Sequence, residues 1–359
     1  MTSKGEDAAR RDVSPSPSIA VNTRVLLNPL TGVQRYTQEL LLRLGDMVRP
    51  VQPRVRMTSV LNQGWEQGVL PLHLHGRLLW SPANTGPLLV DNQVLTLHDM
   101  APLDHPEWYH SSFSHYMGWL LPRLARRVRY VITVSEFSRD RIAALTGIPP
   151  AKIAVIPSAV SGAFFDPAPT EIREVCSQFE LTPDSYVLYL GSIEPRKNLS
   201  GLLSAWESCR RRLPSDVILA IAGERANPRA FKNVSLPGET EHVRWLGRVE
   251  DGRLPALLAG ARAFVYVSLY EGFGAPPLEA LAAGTPVLTS SATSIPEVVG
   301  EAALLVDPTD VDAIARGIER LVTDAQLRGR LREAGPLRAR KFTWEMAAAR
   351  TRDLLHELA

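Results

Sequence analysis

The feature that most constrains this chain is a repeated alternation of short aliphatic runs, polar or glycine-bearing turns and amphipathic stretches, the pattern of a parallel sheet wrapped in helices. IAVNTRVLL (19–27), RLLWSP, QVLTLHD, YVITVS and KIAVIPSAV lie in the first half, and YVLYLGS, VILAIAGE, VRWLGR, AFVYVSL, PVLTSS and AALLVDP in the second. Continuous aliphatic runs of this length are strands buried on both faces. Helical spacing fills the gaps. In VQRYTQELLLRLGDM, Val33, Tyr36, Leu40 and Leu44 share a face, with Thr31 as the cap and Gly45 at the stop. SSFSHYMGWLLPRLARR, NLSGLLSAWESCRRR and DVDAIARGIERLVTD have the same character.

The pattern runs twice, and 359 residues suffice for two domains. SGAFFDPAPTEIREVCSQFELTPDS, with three prolines, interrupts it as a linker followed by a helix, so the boundary falls near residue 170. The expected fold is α/β, with two doubly wound parallel-sheet domains, 18–170 and 171–342. Such sheets bind ligands at the carboxyl ends of their strands, so two facing domains make one central cleft. Residues 1–17 carry charge without the apolar segment of a secretory signal and read as a disordered leader.

Composition removes several classes of function. A net charge of +2 is too small for a nucleic-acid binder. Cys176 and Cys209 form no CxxC pair, which excludes a disulfide framework or zinc knuckle and points to a reducing cytoplasm. No GxGxxG follows a strand and no GxxxxGK[ST] occurs, so hydride transfer and P-loop hydrolysis lose their main warrant. His73 and His75 read as one face of a strand rather than metal ligands, and Asp310 and Asp312 as helix caps. Up to residue 170 there are 17 Lys and Arg against 13 Asp and Glu, leaving 23 against 25 beyond it. Arg123, Arg126, Arg127 and Arg129 concentrate that excess. They read either as a solvated helix end or as a peripheral contact with the anionic inner face of a membrane.

Two segments carry chemistry. In YVLYLGSIEPRKN, Gly191, Ser192, Arg196 and Lys197 lie between a strand and a helix, where free N–H groups, the dipole and two cations suit a diphosphate; solvated cations are the alternative. In SLYEGFGAPPLEALAAGTPVLTS, Glu279 falls in the first turn of a helix and can accept both hydroxyls of a ribose diol, while Glu271 can face a sugar from the loop. A dipole-stabilised first-turn charge and a solvated loop carboxylate are the alternatives.

VLYLGSIEPRKNLSGLL, AGARAFVYVSLYEGFGAPPLEALAAGTPVLTSSATSIPEVVGEAALLVDP and FTWEMAAARTRDLL together resemble the nucleotide-sugar domain of the family-four retaining glycosyltransferases of GT-B fold. The resemblance implies that Glu279 holds the donor ribose, that Arg196 and Lys197 bind the diphosphate, and that Glu271 with the backbone of Gly272, Phe273, Gly274 and Ala275 surrounds sugar and phosphate. Relatives often carry Arg or Thr where Ser192 stands. The first half matches less tightly, yet NPLTGVQRYTQELL resembles the glycine loop before the family's first helix, with Gly32 near the donor phosphate. TLHDMAPLDHPEWY resembles the segment with an active-site histidine, His98, whose alternative reading is a core histidine satisfied by Asp99 or backbone. VITVSEFSRDRI places Ser135 at the cleft. The last helix, 343–359, packs back across the hinge in relatives.

The implied reaction moves a hexose from a nucleoside diphosphate sugar to a hydroxyl of a saccharide or lipid-linked glycan, with no metal or other cofactor. TGVQRYT, LHDM and SIEPRKN resemble bacterial mannosyl and rhamnosyl transferases of polysaccharide assembly, which favours GDP-mannose over a UDP-hexose. A nucleotide-sugar epimerase of the same architecture and a non-catalytic binding protein are the rivals.

Overall fold

The computed structural model describes residues 19–28, 31–55, 58–226, 230–234, 236 and 242–359, and the expected leader lies outside them. Six parallel strands form the first sheet: β1 (Ile19–Asn22), β2 (Val48–Val51), β3 (Leu78–Ser81), β4 (Gln93–Thr96), β5 (Tyr130–Thr133) and β6 (Ile153–Val155). Their order is β2-β1-β3-β4-β5-β6. The second sheet comprises β7 (Tyr186–Leu190), β8 (Ile218–Ala222), β9 (Val243–Gly247), β10 (Ala263–Tyr266), β11 (Val287–Ser290) and β12 (Leu304–Val306), in the order β12-β11-β10-β7-β8-β9. The aliphatic strands β1, β3 and β10 are buried at every position, as coverage by helices on both faces requires.

Two local expectations are corrected and one unread strand is added. The run 19–27 is not one strand: β1 stops at Asn22 and a 3₁₀ turn, Arg24–Leu27, follows. The cause is Glu66, fully buried, which accepts from Asn22 Nδ2 at 2.7 Å and from Arg24 Nε at 2.7 Å and draws the chain off the sheet. Strand β2, VRPV, was hidden by Pro50, which an edge strand tolerates because one side of it has no ladder to complete. His73 ends a 3₁₀ turn, Leu70–His73, and His75 has φ of +49°, so the pair lies in a turn and not on a strand face.

The Glu66 network makes a stability prediction. Glu66→Ala leaves Arg24, only 14% exposed, without the carboxylate that balances it. Breaking such a pair should cost about 3 to 5 kcal/mol, read as a lower urea midpoint with unchanged slope.

The C-terminal helix, Trp344–Leu358, leaves the second domain and lies on the first helix, Gly32–Leu44. Trp344 meets Tyr36 edge-on with ring centroids 6.2 Å apart, Arg43 pairs with Glu345 at 2.9 Å, and Arg352 donates to the Arg43 carbonyl at 2.8 Å. The arginine cluster is largely occupied within the protein. Arg126 donates to the Thr146 carbonyl, Arg127 pairs with Asp91, and Arg129 reaches Asn92 and the Leu358 carbonyl. Arg123 lies over Trp119, which is 47% exposed. Among the described residues no helix is long and apolar enough to cross a membrane.

Candidate active site

The segments that follow β4 and β5 in the first sheet and β7 and β10 in the second meet between the domains. The second domain's loop 271–274 presses into the first. Gly272 accepts hydrogen bonds at its carbonyl from Ser135 Oγ at 2.7 Å and Ser138 Oγ at 3.2 Å. A Cβ on Gly272 would lie 2.1 Å from the His98 carbonyl oxygen, so this approach requires glycine. Gly274, with φ of +102°, turns the chain into the helix Ala275–Ala282. Further links close the domains: Glu297 accepts from the N–H groups of Phe137 at 2.7 Å and Glu136 at 2.8 Å, and Tyr270 donates to Asp104 at 2.8 Å.

Glu271, 6% exposed, stands at the centre. Its Oε1 receives Lys197 Nζ at 2.6 Å and the Tyr266 hydroxyl at 2.8 Å, and its Oε2 receives Arg196 at 3.2 Å. Burial alone would raise its pKa, but Lys197 and Arg196 together outweigh that and hold it at about 2. Glu194 takes the other edge of the Arg196 guanidinium. The cations lie between β7 and the following helix, as the sequence placed them. They lie in a 3₁₀ turn, Pro195–Lys197, and the helix begins at Leu199 after Asn198, whose φ is +54°. Asn198 pins this turn by donating to the Val267 and Pro308 carbonyls at 3.1 Å and 2.6 Å. Gly191 and Ser192 precede it at the end of β7, half-buried.

His98 is half-buried, edge-on to Tyr36 at 4.8 Å, with Nε2 2.9 Å from the Pro82 carbonyl. A carbonyl only accepts, so Nε2 carries the proton; burial lowers the ring's pKa against the opposing effects of Pro82 and Asp99. The neutral ring therefore keeps Nδ1 as an acceptor. Asp99 accepts from the Ala101 N–H at 3.1 Å. Ser135, buried, both accepts from Ser138 N–H and donates to Gly272, which gives its hydroxyl a bridging place between the domains. The Phe273 ring packs edge-on to Phe342, leaving its backbone at the loop. Gly32 is exposed at the start of the first helix with open space beside it.

Glu279 is 8% exposed and lies beyond the first turn in which the sequence placed it, because the helix Ala275–Ala282 already begins at Ala275, ahead of the two prolines. Arg35 of the first helix reaches it across the cleft with Nη1 at 2.6 Å and holds Asp251 with Nη2 at 3.0 Å. Burial raises the Glu279 pKa to about 7, Arg35 opposing and Asp251 adding to the rise. A cavity of about 650 Å³ opens beside Arg35 and Asp251, lined also by Glu39, Phe164 and Arg253. Sequence reasoning passed over Arg35, Asp251, Tyr266 and Glu297. The first stands inside the quoted TGVQRYT and the last inside SIPEVVG, but spacing carries no sign of their partners.

Two family models match stretches of the two domains. Glycosyltransferase Family 4 matches residues 69–161, and Glycosyl transferases group 1 matches residues 175–338. The O-antigen chain mannosyltransferase B of Escherichia coli is 36% identical over 92% of this chain and 97% of its own. The chain is a GT-B glycosyltransferase of family 4. The MMP alpha-(1->4)-mannosyltransferase of Mycolicibacterium hassiacum is 33% identical to this glycosyltransferase over 64% of the chain and 54% of its own. Among solved structures, Anabaena Alr3699/HepE in complex with UDP and glucose superposes with a TM-score of 0.75 at 17% identity, covering 95% of this glycosyltransferase and 99% of that chain. The cleft between the two sheets is therefore the part of the glycosyltransferase in which its chemistry is to be sought.

Proposed function

We propose that this glycosyltransferase moves a mannosyl residue from GDP-mannose to a hydroxyl of a saccharide or lipid-linked glycan, retaining the anomeric configuration and using no metal ion. The observation that carries this reading is the buried convergence of Arg196 and Lys197 on Glu271 where the two sheets meet. The likeness to an O-antigen mannosyltransferase over nearly the whole chain favours mannose.

Breaking the anomeric C–O bond leaves positive charge on the sugar and negative charge on the departing diphosphate. The dominant catalytic task is to stabilise the latter. Arg196 and Lys197 supply fixed positive charge in a water-poor setting, and the exposed backbone at Gly32 completes the cradle. Gly191 and Ser192 border it. The acceptor oxygen bonds to the anomeric carbon from the face the diphosphate leaves, and its proton passes to the leaving phosphate oxygen. Neutral His98 accepts a sugar hydroxyl at Nδ1. Glu271 is a poor covalent nucleophile because both its oxygens already face cations; it orients them and lies beside the sugar with the backbone of Gly272 to Ala275. Glu279 receives the ribose diol. A lipid-linked acceptor would bring the enzyme to the cytoplasmic face of a membrane through Arg123 and Trp119, with Arg126, Arg127 and Arg129 adding charge.

The test pairs binding with turnover. GDP at about a hundred times its Kd should stabilise the fold by about 2.7 kcal/mol, unaltered by chelator. GDP-mannose with a mannoside acceptor should release GDP and give an α-linkage by NMR. A shift with UDP alone would overturn the donor, strict metal dependence would overturn the role given to the cations, and conversion of a UDP-sugar without acceptor would indicate an epimerase.

A further inference from the structure

From the two contacts that Arg35 makes across the cleft, we infer that it is a positioning residue for donor binding: it orients Glu279 and favours the carboxylate form that accepts the ribose diol. The inference rests on the proposed role of Glu279.

The geometry is specific. Arg35 stands three residues after Gly32 on the first helix, so the element that presents the glycine loop to the donor also brings this guanidinium to the opposite domain. Nη1 takes Glu279 Oε1 at 2.6 Å and leaves Oε2 open among the described residues. Nη2 takes Asp251, in the turn after β9, at 3.0 Å. Two anchors fix the fork, and a carboxylate oxygen with two lone-pair sites can accept both Arg35 and a ribose hydroxyl. The nearby cavity has the size to hold the remainder of a nucleoside.

Protonation is the reason a positioning group is needed. Of the elements around Glu279, the first helix brings Arg35 and the turn after β9 brings Asp251, and these are the charged groups that act on it. Burial already lifts Glu279 to about 7 with Arg35 in place. Without the guanidinium its pKa rises further, so the carboxyl is neutral at pH 7 and one of its acceptor sites becomes a donor. Asp251 acts oppositely, repelling Glu279 while tethering Arg35.

The experiment measures binding of GDP and UDP, each against its 2′-deoxy counterpart, from about pH 6 to about pH 9, alongside turnover of GDP-mannose. For the nucleotide that binds, the wild-type enzyme should prefer the ribo form by about tenfold at pH 7 and lose that preference as pH falls. Arg35→Ala should abolish the preference at pH 7 and regain it only at least one pH unit higher, raising donor KM about tenfold with a smaller change in kcat. Arg35→Lys should restore part of it. Asp251→Asn should extend the preference to lower pH, and this carries the test if Arg35→Ala fails to fold. Arg35→Ala or Asp251→Asn with the wild-type pH profile would overturn the inference. Arg35→Ala binding nucleotide more tightly would overturn it too, marking Arg35 as a competitor for the ribose site. Glu279→Gln separates the two claims: if it keeps the wild-type preference, the ribose assignment itself fails.

Discussion

Lys197→Ala is expected to lower kcat with GDP-mannose by about 10²- to 10³-fold, the cost of losing one preorganised charge opposite a developing anion. Lys197 is 7% exposed and its ammonium is bonded to both Tyr266, at 2.5 Å, and Glu271, so it is aimed before substrate arrives. The fold should survive, because Arg196 still balances Glu271 and the carboxylate keeps the Tyr266 hydroxyl. Lys197→Arg should recover little: a planar fork cannot replace a compact ammonium between a phenol and a carboxylate. Single-turnover rates beside GDP titrations check this, since a group acting on the departing charge alters the chemical step more than ground-state binding. Wild-type turnover in Lys197→Ala would remove this residue from the mechanism.

Gly272→Ala should be nearly as damaging by a different route. The added methyl would lie 2.1 Å from the His98 carbonyl and 2.9 Å from Asp99 Cβ, with backbone on one side and no flexible side-chain end to yield. Either the loop retreats with Glu271 or the domains part, and a displacement of about 1 Å in a catalytic constellation costs on the order of 10²-fold. The strain lies between domains, so thermal stability should change little while kcat/KM falls. Small-angle scattering should show the variant more open than the wild-type enzyme under identical conditions. Unchanged kinetics would mean that this contact is not part of the productive form.

The parts of the fold that could be read in advance are those whose signal is local. YVLYL and AFVYV are buried strands because unbroken aliphatic runs need cover on both faces, and Thr31 and Gly45 bracket the first helix by their own backbone chemistry. What could not be read depends on distant partners. Glu66 ends β1 from more than forty residues away, and Arg35 meets Glu279 at a separation of 244 residues. Pro50 concealed a strand because propensity does not reveal which strand will lie at an edge. The site shows the same division. Glu271, Glu279, Arg196 and Lys197 were visible through a dense motif, whereas the mutual engagement of Glu271 with both cations, and the bridging position of Ser135, are products of packing. The turn Pro195–Lys197 is of the same kind: nothing local in SIEPRKN announces that both cations will close on one carboxylate.

The C-terminal helix lies over Tyr36 and the first helix, so the N-terminal domain carries a face whose cover is made only after the second domain. During synthesis that domain leaves the ribosome first, yet it waits for the entire second domain before Trp344 can seal it. Its apolar helix face is exposed to other nascent chains for that interval, and an insertion or fusion that obstructs Trp344–Leu358 would harm the opposite half of the enzyme, not the domain it follows.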